Sequence, residues 1–161
     1  MGQLPLYYAH KNTGRPGPQD GPFWSHYADM PNEPLYPFGY GLSYTTFTYS
    51  EPKLSRAEVP MAGEVEVATT VKNTGQRAGT EVVQLYVRDL VGSVTRPVKE
   101  LKGFRKITLQ PGESKDVTFT LTAADLAFHT AAGQWEAEPG AFTVFVGPNS
   151  RDTKETPFTL K

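Results

Sequence analysis

From Thr46 onward the apolar residues of this chain alternate with polar ones, the period of a half-buried β-strand. Phe47 and Tyr49 open a strand that runs to about Leu54. Val65, Val67, Thr69 and Val71 share one face of a second, with Glu64, Glu66 and Lys72 on the other. Asn73-Thr74-Gly75 is a turn. Val83, Leu85 and Val87 share a face of the third strand, and Gln84, Tyr86 and Arg88 take its opposite face. Leu101, Phe104, Ile107 and Leu109 mark a fourth, with Gly103 the expected bulge. Pro111-Gly112 turns the chain into a fifth, carried by Val117, Phe119 and Leu121. Thr122 stands where it caps one helical turn over Ala123-Ala124-Asp125-Leu126. Ala127 to Ala137 has the weakest pattern and reads as a strand broken at Ala132-Gly133. Phe142, Val144 and Val146 form the next strand after Pro139-Gly140, and Thr156 to Leu160 the last.

About seven strands in about 115 residues, with turn signals near every tenth position, predict an all-β fold. The expected architecture is an antiparallel β-sandwich of immunoglobulin or fibronectin type III character, each sheet hiding one face. Residues 1–45 are different. They hold half of the 14 prolines and six of the eight tyrosines. Pro22, Pro31, Pro34 and Pro37 leave no room for a helix. Leu4 to Tyr8 reads as a short strand, and Asn12 to Pro18 is a cluster of turn formers. The segment is therefore an extended arm. Its Phe23, Trp24, Tyr27, Tyr36, Phe38, Tyr40 and Tyr44 are too apolar for a free linker, and Pro37 to Tyr44 is too compact to leave its rings in water.

At 161 residues the chain is one domain plus this arm. Its net charge of -1 excludes the broad basic face that nucleic acid demands. No run of 18 apolar residues spans a membrane, and the first residues show no secretory leader. The absence of cysteine excludes disulfides, thiol catalysis and Cys-ligated zinc. His10, His26 and His129 have no ligand spacing, so neither a metal site nor a cofactor is expected. Ser25-His26 is adjacency, not a triad, and Gly39-Tyr40-Gly41 leads into a strand rather than the helix N-terminus a phosphate needs. Glycoside hydrolysis needs two carboxyl groups with separated pKa values. The pairs Glu136/Glu138 and Glu64/Glu66 each share one solvated strand face, which separates nothing. The aromatics Trp24, Tyr27, Tyr36, Tyr40 and Tyr44 are candidate platforms for sugar rings, against the plainer role of anchoring the arm.

Several segments, in order, resemble one family. Leu4-Pro5-Leu6-Tyr7-Tyr8, Asn12-Thr13-Gly14-Arg15-Pro16 and Tyr36-Pro37-Phe38-Gly39-Tyr40-Gly41-Leu42-Ser43-Tyr44-Thr45-Thr46-Phe47 are similar to the C-terminal part of family 3 glycoside hydrolases, the β-glucosidase and β-xylosidase group. Gly79-Thr80-Glu81-Val82-Val83-Gln84-Leu85-Tyr86, Arg96-Pro97-Val98-Lys99-Glu100-Leu101-Lys102-Gly103-Phe104 and Glu138-Pro139-Gly140 resemble that family's fibronectin type III-like domain, in its periplasmic β-glucosidase form. In such retaining enzymes a (β/α)8 barrel carries an Asp nucleophile and a second α/β domain supplies the acid/base group. This chain is too short for a barrel of about 250 residues, and it has no Ser-Asp-Trp segment of the nucleophile type. The resemblance thus places no catalytic residue here.

What it implies is a non-catalytic module that buttresses the catalytic domains, its partners. Residues 1–45 would be the end of the preceding α/β domain plus a linker arm, and 46–161 the sandwich. Met1 would be a start placed on internal sequence, and the compartment periplasmic or secreted. A loop would reach oligosaccharide substrate at the rim of the pocket. The alternative is an independent carbohydrate-binding module using the arm aromatics. The Leu4 to Tyr8 strand, cut from a parent sheet, would pair with a second copy through its open edge or lose its order.

Overall fold

The computed structural model describes residues 6–12 and 31–161. Within them the alternation becomes β1 (Phe47–Tyr49), β2 (Lys53–Leu54), β3 (Glu58–Val59), β4 (Glu64–Asn73), β5 (Gly79–Asp89), β6 (Glu100–Leu109), β7 (Ser114–Thr122), α1 (Ala123–Leu126), β8 (Phe128–His129), β9 (Trp135–Glu136), β10 (Gly140–Gly147) and β11 (Lys154–Leu160). β1 and β2 pair with the same strand, β4, at Val71–Asn73 and Val67–Ala68. They are one predicted strand, interrupted by Pro52, which cannot donate to a ladder. β7 takes the other edge of β4 in a nine-residue antiparallel register, Glu64↔Thr122 to Lys72↔Ser114. The second sheet runs β3-β11-β10-β5-β6, and its four long strands are antiparallel. β3, absent from the sequence reading, adds two residues parallel to β11.

The core lies between the sheets. Val65, Val67 and Val71 of β4 and Val117, Phe119 and Leu121 of β7 meet Val83, Leu85, Val87, Phe142, Val144 and Val146 of the second sheet. Each such side chain contributes roughly 1.5–3 kcal/mol by leaving water. Asn73 is fully buried in this setting, with all four side-chain bonds made. Its Oδ1 accepts from Thr45 Oγ1 (2.7 Å) and the Gly75 N–H (3.1 Å), and its Nδ2 donates to the carbonyls of Arg77 (2.8 Å) and Leu109 (3.1 Å). The predicted turn residue is thus the knot joining the arm's end to the β4 and β6 ends.

Three local expectations change. The β5–β6 register shifts between Leu85↔Gly103 and Tyr86↔Leu101, so the extra residue is Lys102, beside Gly103. The broken strand over 127–137 is a small hairpin, β8 against β9, turned at Gly133 with φ +77°. Leu6 to Tyr8 forms no strand: Leu6 and Tyr7 have no regular structure and Tyr8 enters a turn, while Leu4 and Pro5 lie outside the described residues. The helical turn falls where expected, with the Asp125 carboxylate accepting from both the Thr122 N–H (2.8 Å) and its hydroxyl (2.7 Å).

Candidate functional site

β4 and β7 show alternating burial, inward residues dry and outward residues wet. β5 breaks the rule: all five residues from Val83 to Val87 are buried. Gln84 and Tyr86 point away from the sandwich core yet have 5% and 0% exposure. Phe145 of β10 is buried on the same outer face. The cover is the arm. Tyr8 stacks on Phe38 with ring centroids 4.2 Å apart and meets Tyr86 edge-on at 5.8 Å.

Hydrogen bonds latch this cover. Gln84 Nε2 donates to the carbonyls of Gly39 (3.1 Å) and Pro148, and its Oε1 accepts from the Tyr86 hydroxyl. The Ser150 N–H donates to the Phe38 carbonyl (2.9 Å) and the Val98 N–H to the His10 carbonyl (2.9 Å). Lys11 bridges to Pro97, and the Tyr8 hydroxyl accepts the Leu101 N–H at 3.3 Å. Lys99 lies 4.1 Å over the Phe145 ring and donates to the Ser150 carbonyl (2.8 Å) and Thr153 Oγ1 (3.1 Å). Its burial among these groups lowers the ammonium pKa, against the upward pull of Glu155. Burial likewise pushes the Tyr86 phenol up, with the Tyr8 phenol adding to it. Gly39 is fixed twice over: its φ is +79°, and a Cβ there would stand 2.0 Å from Gln84 Oε1.

The arm's other side is bare. Tyr7, Leu35, Tyr36, Phe38, Tyr40, Leu42 and Tyr44 are exposed, Leu42 at 89% and Tyr44 at 93%. The expectation that Pro37 to Tyr44 hides its rings therefore fails within this chain. The segment is bound along one side only, and its odd-lot of rings has no second sheet to enter. Tyr36 and Tyr40 lean on each other, centroids 5.3 Å apart at 38°. Trp24 and Tyr27 lie outside the described residues.

Beside the arm's end, an open groove of about 700 Å³ is lined by Ser43, Thr45, Tyr49, Glu81, Arg151 and Lys154, among others. In its wall the Tyr49 hydroxyl donates to Glu81 Oε1 at 2.6 Å. Burial raises the pKa of both groups; the hydrogen bond opposes the rise at Glu81.

Both carboxylate pairs lie at or near the surface. Glu64 and Glu66 are exposed on the outer face of β4. Glu136 is exposed on β9, and Glu138 accepts the Ser93 N–H at 2.7 Å; the Ser93 side chain and then that N–H hold its carboxyl below the usual range. Among the described residues no three of His, Asp and Glu are placed to hold a metal ion, and no helix is long and apolar enough to cross a membrane.

The sequence reading missed the hairpin end. Trp135 is 64% exposed on β9, and its ring meets His129 edge-on at 4.9 Å. Behind it, the Arg96 guanidinium sits 4.0 Å over the Phe128 ring, 2.8 Å from Glu100 and 3.7 Å from the buried Asp89. Burial raises the Asp89 pKa, while the Val91 N–H and Arg96 pull it back. The one signal in the sequence was a Trp amid Gly-Gln-Trp-Glu-Ala-Glu, with no apolar residue beyond alanine to partner it.

Residues 81–150 match the fibronectin type III-like domain family. Over 162 residues the chain is 49% identical to the periplasmic β-glucosidase of Salmonella typhimurium, covering 99% of this chain and 21% of that protein. It is 46% identical to a putative β-xylosidase of Formosa agariphila, covering 100% of the chain and 20% of the relative. The crystal structure of a Listeria innocua β-glucosidase in complex with glucose superposes with a TM-score of 0.91 at 42% identity, over 98% of this chain and 22% of that one. The chain thus spans about a fifth of the relatives it matches. It carries, with the segment leading into it, the C-terminal fibronectin type III-like domain of the family 3 glycoside hydrolases.

Proposed function

We propose that this chain holds shape and breaks no bond: it is a non-catalytic module of a β-glucosidase, and its arm is the seam on which the catalytic domains rest. One observation carries the reading. The arm is latched to a sheet along its inner side while its outer side presents a row of bare aromatic and aliphatic residues. Bare apolar surface of that extent marks an interface. The partner of matching chemistry is the rest of a longer enzyme, since the relatives are about five times the chain's length. On this reading residues 1–45 are the end of a preceding α/β domain plus linker and 46–161 the supporting sandwich. The whole enzyme removes terminal β-D-glucosyl residues with retention, in the periplasm or outside the cell.

The test uses the Salmonella enzyme. Its matching fifth is deleted, or replaced by this chain. The chain alone should leave a chromogenic glucoside intact. The deletion should inactivate at lower temperature than the parent, and the chimaera should recover most of the loss. Turnover by the purified chain, or a deletion as heat-resistant as the parent, would overturn the reading.

A further inference from the structure

The hairpin end poses a second question, independent of the arm. Two-residue strands do not hold a hairpin by themselves. β8–β9 is held from outside: Ala131 N–H donates to Ser93 Oγ (3.0 Å), Ser93 N–H donates to Glu138, and Arg96 clamps Phe128. Ala127, Phe128, Thr130 and Ala137 are buried beneath it. The fold thus stiffens a segment whose outward side chain is a bare indole. The loop to which the hairpin is tied also carries Leu90 and Val91, the latter 80% exposed. A pre-ordered, exposed Trp is the residue type of a protein hot spot, where little side-chain entropy remains to be lost on docking, and Leu90 and Val91 add apolar area on its supporting loop.

We propose that Trp135, with Leu90 and Val91, is a second docking point for the catalytic part of the longer enzyme, separate from the arm seam. The proposal rests on the reading above for its partner. The hairpin adds Glu136 and Glu138 and no Lys or Arg, so the complementary surface is an apolar recess with a basic rim. The 90–98 loop joins the two docking points. At one end Ser93 and Arg96 hold the hairpin; at the other, Pro97 and Val98 hold Lys11 and His10 of the arm. Load on the arm therefore reaches the hairpin through one short, doubly anchored segment.

Hydroxyl-radical footprinting of the free chain and of the Salmonella chimaera separates the possibilities. Labelling of Trp135, Leu90 and Val91 should be fast in the free chain and fall to a small fraction of that rate in the chimaera. Protection of the arm residues Tyr36, Tyr40 and Tyr44 with Trp135 still fully labelled would overturn the second docking point while leaving the arm seam standing. Protection of neither would overturn both. Trp135→Ala gives a second measure: the chimaera should unfold at lower temperature while the free chain's midpoint is unchanged. Equal loss in both would mean a role inside the domain only. Protection of Trp135 in the free chain by laminaribiose would assign the ring to sugar and overturn the proposal.

Discussion

The two sheets of this sandwich have similar inner faces and opposite outer ones. The β4–β7 sheet turns Glu64, Glu66, Lys72, Thr118 and Thr120 to water, and its strands alternate as an antiparallel sheet with one wet face should. β5 is dry on both sides from Val83 to Val87, because Tyr8, stacked on Phe38, meets Tyr86, and Gln84 ties the cover down at Gly39. The lesson is that burial here does not follow from strand pattern alone. The described parts of the arm, almost without regular structure, add a third layer over the middle of β5 and present an outer side of their own.

The largest expected effect breaks the comparison at its centre. Tyr86→Ala removes a fully buried ring from the covered face, together with its edge-on contact to Tyr8 and its hydrogen bond to Gln84 Oε1. By analogy with other buried aromatic truncations the loss is about 3–5 kcal/mol. Thr120→Ala, at an outward position of β7, should change stability by no more than about 0.5 kcal/mol. Urea unfolding of both at pH 7 tests this. Equal effects would mean that the arm does not cover the sheet in solution.

How much of this was legible in advance follows the same division. The alternation of Val65-Glu66-Val67 or Val117-Thr118-Phe119 is a local property, so those strands and their faces were readable. So was the cap at Thr122, where residue type and position sufficed. The fate of Tyr86 was not readable, because its cover comes from residues nearly eighty positions upstream. The sequence assigned it to an outer face, correctly, and could not say that the face is dry. β3 escaped because Glu58-Val59 is two residues long and its pairing partner is the chain's far end. The arm's apolar character was plain, but only coordinates separate Tyr8, which faces the sheet, from Tyr44, which faces water. Trp135 was passed over because a hairpin this short has no periodicity to read.

The next effect is smaller and isolates the latch from the core. Gly39→Ala forces a side chain into a left-handed backbone and onto Gln84. Strain plus one lost hydrogen bond is about 2–3 kcal/mol. Gly41→Ala is the control: its Cβ meets nothing within 4 Å and its φ is not positive. Amide exchange gives the sharper readout. In Gly39→Ala the N–H groups of Ser150 and Val98, which bond to the arm, should exchange faster, while Val67 in the far sheet should not change. Acceleration in both sheets would show that the arm and the sandwich unfold as one unit.

The smallest effect probes a hydrogen bond in the groove wall that joins the sheets. Tyr49 of β1 donates to Glu81 of β5, and burial raises the Glu81 pKa above its ordinary value. A carboxyl group with a raised folded pKa binds more protons folded than unfolded between the two values. Stability from it is therefore complete below the ordinary glutamate range and is lost as pH rises through the folded pKa. Glu81→Gln keeps an oxygen for Tyr49 and removes the titration. Its melting temperature should match the parent's most closely in acid and exceed it slightly near neutrality, with a flatter profile between. A variant that is less stable than the parent at pH 7 would mean that the ionised Glu81, accepting from Tyr49, is worth more than the water it gave up, and that the seam between the sheets is held by charge rather than by shape.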